Sequence, residues 1–122
     1  MPRSEQHRHQ VDTFSARVFR LQLDDEVNRQ LVAVLGWAVV EHCAEICAHS
    51  YRQSPIAEES WHNFHVRIVR GFFSEKAHRY AKRLRRWRNR SLYGCRVPPE
   101  GVALRLRSEL TELAAEMLSG AV

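Results

Sequence analysis

The feature that most constrains this chain is an uninterrupted apolar run of ten residues, from Leu31 to Val40. The run lies within a segment of helical spacing that begins at an Asp24–Asp25 N-cap and extends to about Gln53. Such a helix presents apolar side chains on every side, so other helices or a partner chain must surround it in water. In a chain of 122 residues, this requirement predicts one small core built around that helix.

The beginning of the chain lacks this apolar periodicity. Residues 1–12 are rich in His, Arg and Gln, so we expect a flexible polar arm there. A short helix is predicted to start at the Asp12–Thr13 cap, with Phe14, Val18 and Leu21 at helical spacing. Residues 13–122 are accordingly predicted to form a single helical-bundle domain.

Helical spacing continues through the second half of the chain. Pro55 is expected to end the central helix and start the next one, which keeps its periodicity as far as Trp87. A kink or break is expected between Gly71 and Ser74. Glycines and prolines at 94–101 predict a loop before a terminal helix that ends before Gly120. The fold class predicted is all-α, a compact antiparallel bundle of about four to five helices.

Composition excludes several classes of protein. Hydrophobic residues make up 44% and charged residues 27%, which is typical of a globular chain. A ten-residue apolar run is about half of a bilayer span, so we expect no transmembrane helix. No apolar segment near the N-terminus resembles a secretion signal. Three cysteines, an odd number, predict free thiols in a reducing compartment, and the predicted location is the cytoplasm.

The positive charge is concentrated in one segment and consists almost entirely of arginine. Seventeen of the 19 cations are Arg, and nine cations lie between Lys76 and Arg96 without an acidic residue among them. On a helical wheel most of them share one face, opposite Ala77, Leu84 and Trp87. We call the six cations on this face, together with two upstream arginines, the arginine stripe. We predict that the stripe binds nucleic acid through Arg67, Arg70, Lys76, Arg79, Lys82, Arg83, Arg86 and Arg90.

The chemistry of arginine favours phosphate as the ligand of this stripe. Its planar guanidinium binds phosphate oxygens in pairs, and interleaved Asn, Tyr and Trp residues suit RNA or single strands. We expect Arg83, Arg86 and Arg90 to point to solvent, and binding to be salt-dependent and tolerant of sequence. Alternatives are an acidic protein partner, an anionic membrane, a merely solvated helix face, or a helix-turn-helix that reads duplex DNA.

Several residue sets could carry chemistry, but none is complete. Glu59–His62 and Glu75–His78 have the Glu-x-x-His spacing of di-iron bundles, yet the second motif lies toward the cationic face. A zinc site formed by His62, His65 and Glu41 or Glu45 is an alternative to simple interhelical hydrogen bonding. No phosphate loop, nucleophile elbow or His-Glu-x-x-His motif occurs. We therefore predict no enzyme activity, no cofactor and no bound metal.

The helical plan and the basic segment Lys82–Arg90 together resemble the helical small subunits of CRISPR-type effector ribonucleoproteins. The likeness covers the whole chain length but rests on no diagnostic motif, so it transfers no functional residue. It implies a nucleic-acid-backbone-binding subunit of a larger nucleoprotein assembly. The implied partners are RNA or single-stranded DNA, other protein subunits and, as an open question, further copies of the chain, but not a membrane. Phage or plasmid DNA-binding proteins and anti-defence proteins have the same general features.

Overall fold

The computed structural model describes residues 3–120, and within that range it contains five α-helices and no strand. In chain order these are α1 (Arg3–Arg20), α2 (Glu26–Ser50), α3 (Trp61–Phe72), α4 (Glu75–Tyr93) and α5 (Glu100–Gly120). The prediction of an all-α bundle of four to five helices is confirmed.

The central helix of the bundle is α2. Asp25 caps it as predicted, because its carboxylate accepts a hydrogen bond from the backbone N–H of Asn28 at 3.0 Å. All four other helices pack against α2, and residues such as Val32, Trp37 and Cys43 are completely enclosed. The whole helix is long and apolar enough to cross a membrane by length and composition. However, 61% of its most apolar stretch is buried in the bundle, and the core helix of a soluble bundle can have the same length and apolar composition.

The neighbouring helices alternate in direction around α2. Gln30 near the start of α2 donates a hydrogen bond to the carbonyl of Arg96, just beyond the end of α4, so these two helices run antiparallel. α4 and α5 also run antiparallel, because Ser74 and Arg83 of the α4 side bond to Glu116 and Glu109 of α5 respectively. α5 consequently runs in the same direction as α2, and the three helices enclose one core.

The flexible arm predicted for residues 1–12 is corrected for residues 3–12, which form the first half of α1. Residues 1 and 2 lie outside the described range. The helix extends toward the N-terminus because His7, Val11, Phe14 and Val18, spaced four, three and four residues apart, lie on one face. Val11 and Val18 are buried, and the ring of His7 contacts that of His42 on α2. The pattern was missed because a histidine occupies one of its apolar positions.

The connection between α2 and α3 is longer than predicted. α2 ends at Ser50, and residues 51–60 are irregular before Trp61 starts α3. The hydroxyl of Ser60 caps α3 by accepting from the N–H of Asn63, whereas Pro55 starts no helix. The predicted break is confirmed, since α3 ends at Phe72 and Ser74 caps α4 by accepting from the N–H of Ala77.

Gly36 sets the distance at which α2 meets its neighbours. A Cβ atom at this position would lie 3.0 Å from Leu84 Cδ2 on α4 and 3.5 Å from Leu110 Cδ2 on α5. Both leucines are fully buried, so neither has free space to move into. The absence of a side chain at Gly36 therefore lets three helices approach each other closely.

We expect Gly36→Leu to lower the free energy of unfolding by about 1–3 kcal/mol, because the added side chain overpacks the junction of α2, α4 and α5. The matched control is Gly71→Leu in α3, where nothing lies within 4 Å of an added Cβ. The control should be neutral or stabilising by up to about 1 kcal/mol, since leucine has the higher helix propensity. Urea unfolding of both variants is the measurement, and equal stability of the two would contradict the close packing at Gly36.

Candidate nucleic-acid interface

The amphipathic character of α4 decides which of its side chains reach solvent. Ala77, Ala81 and Leu84 are buried against α2 and α5, and Ser91 continues the same side toward the C-terminal end. Because Cβ positions repeat every 3.6 residues, the opposite side of the helix must point away from the bundle. That outer side holds most of the cations predicted from the sequence.

Five of the eight predicted residues form a continuous exposed group, which we call the open stripe: Arg70, Arg79, Lys82, Arg86 and Arg90. Within residues 3–120 none of the five makes an ion pair with a carboxylate. Lys82, Arg86 and Arg90 are four residues apart, so they follow one another at steps of about 6 Å along α4. The open stripe is therefore an array of unneutralised positive charge.

Arg70 belongs to this array although it lies on α3. His78, half-buried on α4, has a pKa lowered first by burial and then by the charges of Lys82 and Arg70. The charges of both cations thus act on the same imidazole, one from the end of α3 and the other from α4. His78 Nδ1 is buried and has no hydrogen-bond partner among the described residues.

Arg83 does not point to solvent, which corrects the prediction for this residue. Its guanidinium is bonded to the carboxylate of Glu109 on α5, which is only 5% exposed. Arg105 Nε also donates to Glu109 Oε2, at 3.2 Å. A buried carboxylate requires such partners because desolvation penalises an unpaired charge. Arg83 therefore fastens α4 to α5.

Two further members of the predicted stripe are also engaged within the molecule. Lys76 Nζ lies 3.6 Å from Glu112 Oε1 on α5, in a pair whose side chains are both about half exposed. Arg67 turns away from α4, since its Nε and Nη2 donate to the carboxylate of Glu59 at 2.9 and 3.0 Å and Nη2 also donates to the carbonyl of Ser54. Arg67 thus holds the irregular segment before α3 and lies outside the open stripe.

We expect Arg83→Ala to lower the free energy of unfolding by about 1–3 kcal/mol, because it leaves the buried carboxylate of Glu109 short of a donor. Arg86→Ala removes an arginine from the same helix that has no such partner, and its effect should stay within about 0.5 kcal/mol. Chemical denaturation of the two variants under identical conditions distinguishes the fastening arginine from the exposed one. Equal losses would mean that the Arg83–Glu109 pair contributes nothing to stability.

Aromatic rings lie among the cations at the C-terminal end of α4. The guanidinium carbon of Arg90 lies 5.0 Å from the ring centroid of Trp87, which is partly buried against the core. The guanidinium carbon of Arg88 lies 5.8 Å from the ring centroid of Tyr93, whose exposed fraction is 75%.

Tyr93 was not among the predicted site residues. Its spacing of seven from Arg86 and fourteen from Arg79 places all three in one row, and this spacing was the available signal.

A second polar cluster lies away from the open stripe, between α1, α2 and α3. His65 is 4% exposed and contacts two carboxylates of α2: its Nδ1 lies 3.0 Å from Glu41 Oε2 and its Nε2 lies 2.8 Å from Glu45 Oε1. Since both ring nitrogens face carboxylate oxygens, the doubly protonated imidazolium satisfies both contacts. The indole N–H of Trp37 donates to His62 Nδ1 at 3.1 Å. His62 and His65 thus form interhelical hydrogen bonds, which was one of the two interpretations of these histidines from the sequence.

The contacts of His65 shift the pKa values of all three groups. Burial by itself would lower the pKa of His65, but the hydrogen bonds and charges of Glu41 and Glu45 raise it above its usual value. Burial would raise the pKa of Glu41, but the hydrogen bond from His65 and the charge of His65 lower it. The hydrogen bond from His65 lowers the pKa of Glu45 against the effect of burial. A cationic His65 between two anionic carboxylates is the consistent charge state.

We expect His65 to titrate above its usual pKa of about 6.5 in the folded protein, whereas His7, His42 and His78 titrate below it because burial lowers their pKa values. A raised pKa means that the stabilisation by His65 is complete below about pH 6.5 and is lost as the pH rises through the folded-state pKa. Titration of the imidazole NMR signals is the direct measurement.

Variants at His65 test the same dependence on pH through the free energy of unfolding. The difference in unfolding free energy between wild type and His65→Gln should be largest near about pH 6 and smaller near about pH 9. His49→Gln replaces an exposed histidine at the end of α2, away from the contacts of His65 with Glu41 and Glu45, and serves as the control. A wild-type His65 that titrates together with His7 and His42 would contradict this charge assignment.

Of the residue sets considered for metal binding, Glu41, Glu45, His62 and His65 lie together, with their oxygen and nitrogen atoms in direct contact with one another. Among residues 3–120, no group of three or more His, Cys, Asp or Glu side chains is arranged to hold a metal ion. Glu59 is bound by Arg67, and Glu75 is exposed at the start of α4. Cys43, Cys47 and Cys95 are free thiols, and burial raises the pKa of both Cys43 and Cys47 to about 12, which makes them poor nucleophiles.

Comparison with known proteins gives no family for this chain: no protein-family model, no curated protein and no solved structure matches it.

Proposed function

We propose that this protein is a non-enzymatic subunit of a nucleoprotein assembly and that it binds the backbone of RNA or single-stranded DNA through the open stripe. The observation that carries the proposal is the set of five exposed, unpaired cations on one face, defined above. Four of the five are arginines, whose guanidinium groups suit phosphate oxygens.

The distribution of acidic residues supports a ligand from outside the molecule. α5 supplies Glu109, Glu112 and Glu116, and all three bond to the edge of α4 and its cap. None of them reaches the outer face of α4. Like charges four residues apart, such as Lys82 with Arg86 and Arg86 with Arg90, each cost about 0.2–0.5 kcal/mol in an isolated helix. A bound polyanion would relieve this repulsion along the whole stripe.

The same surface favours nucleic-acid backbone over a sequence-read duplex. The open stripe runs along an exposed helix side, and four of its five members are arginines, whose guanidinium groups suit phosphate oxygens. Contacts limited to phosphates predict binding that is tolerant of base sequence. Five phosphate contacts to a single strand correspond to a salt slope of about −3.5, at about −0.7 per contact.

The assembly part of the proposal is supported by apolar surface on the other side of the bundle. Val27 of α2 is exposed, and Leu31 and Leu35 line a groove of about 570 Å³ together with Phe14, Arg17 and Arg20 of α1. This arrangement fits a protein that contacts other subunits while its arginine face contacts nucleic acid. We propose a role like that of the helical small subunits of CRISPR-type effectors in the cytoplasm. Phage or plasmid DNA-binding and anti-defence proteins are the alternative class, and an acidic protein partner is the alternative ligand.

We expect the triple variant Arg79→Glu, Arg86→Glu and Arg90→Glu to lose at least about tenfold in affinity for labelled oligo(dT) and oligo(rU). Its salt slope should become shallower by about 2, because three phosphate contacts are removed. Arg83 is left intact, since its loss would destabilise the α4–α5 contact. Fluorescence anisotropy across a NaCl series measures both quantities.

The matched control reverses the same number of charges on α1, through Arg8→Glu, Arg17→Glu and Arg20→Glu, all at exposed positions. It should retain most of the affinity, although the net charge changes equally in both variants. Equal losses of affinity in the two variants would mean that binding depends on the net charge of the protein and not on the position of the open stripe. Failure of the wild type to bind any strand at low salt would exclude nucleic acid as the ligand and favour an acidic protein.

A further inference from the structure

We infer that Tyr93 is a stacking platform for an unpaired base at the C-terminal end of the open stripe, so that the site prefers single strands to duplex. This inference rests on the proposed function and specifies the ligand of that same surface. It assigns a contact to the bases themselves, whereas the open stripe accounts only for phosphates.

The position of Tyr93 is the first reason for the inference. It lies seven residues after Arg86 and fourteen after Arg79, so the three side chains follow one line along α4 at steps of about 10 Å. Its exposed fraction of 75% is the largest among the exposed large hydrophobic residues of the described chain. A strand whose backbone follows Arg79 and Arg86 would therefore bring a nucleotide next to the ring of Tyr93.

The local structure keeps Tyr93 on a fixed support. The backbone N–H groups of Gly94 and Arg96 both donate to the carbonyl of Arg90 at 3.0 Å, which closes the end of α4. The carbonyl of Arg96 in turn accepts from Gln30 of α2 at 3.2 Å. Because these bonds tie the end of α4 to the central helix, the backbone that carries the ring is already held in place before a ligand binds.

The charges around the ring suit a nucleotide more than a simple apolar contact. Arg88 lies 5.8 Å from the ring centroid, and Arg90 precedes Tyr93 by three residues on the exposed side. A base stacked on the ring brings its own phosphate into this cationic surrounding. The neighbouring Leu92 is 44% exposed and extends the apolar surface at the same end of the helix.

Stacking on the exposed ring of Tyr93 would raise the affinity for some forms of nucleic acid and not for others. In a duplex the faces of the bases are covered by their neighbours, whereas an unpaired base can offer one face to an aromatic side chain. Both RNA and DNA strands have such bases, so the inference concerns strandedness and not the sugar. Tyr93 should add to single-strand affinity and leave the phosphate contacts unchanged.

The experiment compares Tyr93→Ala and Tyr93→Trp with wild type on four probes: oligo(dT), oligo(rU), a DNA duplex of equal length, and an abasic strand with the same number of phosphates. Phe19→Ala is the matched control, because Phe19 is 51% exposed and also has an arginine nearby, Arg107 at 5.9 Å, but lies on α1. Circular dichroism verifies that each variant retains its helicity.

We expect Tyr93→Ala to lose about 5- to 150-fold in affinity for oligo(dT) and oligo(rU), the range found when one stacked base loses its aromatic partner. Its salt slope and its affinity for the duplex and the abasic strand should match those of wild type. Tyr93→Trp should retain or increase single-strand affinity, and Phe19→Ala should behave as wild type.

Other outcomes separate the two proposals. If wild type binds all four probes equally and Tyr93→Ala changes nothing, the stacking role is wrong while backbone binding by the open stripe stands. A loss in Tyr93→Ala that is equal on oligo(dT) and on the abasic strand also overturns stacking, since the abasic strand has no base. If wild type binds none of the probes, the proposed function itself fails.

Discussion

Burial of the apolar α2 helix is the constraint on which the rest of this structure depends. α2 contacts each of the other helices, and its middle is too apolar to face water on any side without cover. Gly36 brings Leu84 of α4 and Leu110 of α5 close to its backbone, so α4 must turn its small and aliphatic side inward. The outward direction of the open stripe follows from that packing, because the two sides of an amphipathic helix are fixed relative to each other.

Charge pairing then separates the arginines into two groups. Glu109 of α5 and Glu59 of the irregular segment neutralise Arg83 and Arg67; the first pair connects α4 with α5, and the second connects α3 with the segment that precedes it. The open stripe lies beyond the reach of these carboxylates. The cations of α4 and the end of α3 that are left without a carboxylate partner form the open stripe, a cationic surface of the kind that tracking a phosphate backbone requires.

The cluster around His65 shows a different use of charge in the same small core. Two carboxylates on one helix and an imidazolium from another are costly to desolvate, and each is stabilised by its contacts with the others. The contacts to Glu41 and Glu45 hold α3 at one position along α2, as does the Trp37–His62 bond. Because α3 carries Arg70, this cluster also helps to place one end of the open stripe.

The sequence by itself determined the all-α class, the central position of α2, the break before Ser74 and the presence of a basic helix face, because periodicity and capping are local properties. Only the tertiary structure decided that residues 3–12 are helical, since their face is completed by contacts with α2. It also decided that Arg67 and Arg83 are paired and that His65 lies between two carboxylates. Each of these depends on contacts between separate parts of the fold, whose distances are set by packing and not by spacing along one helix.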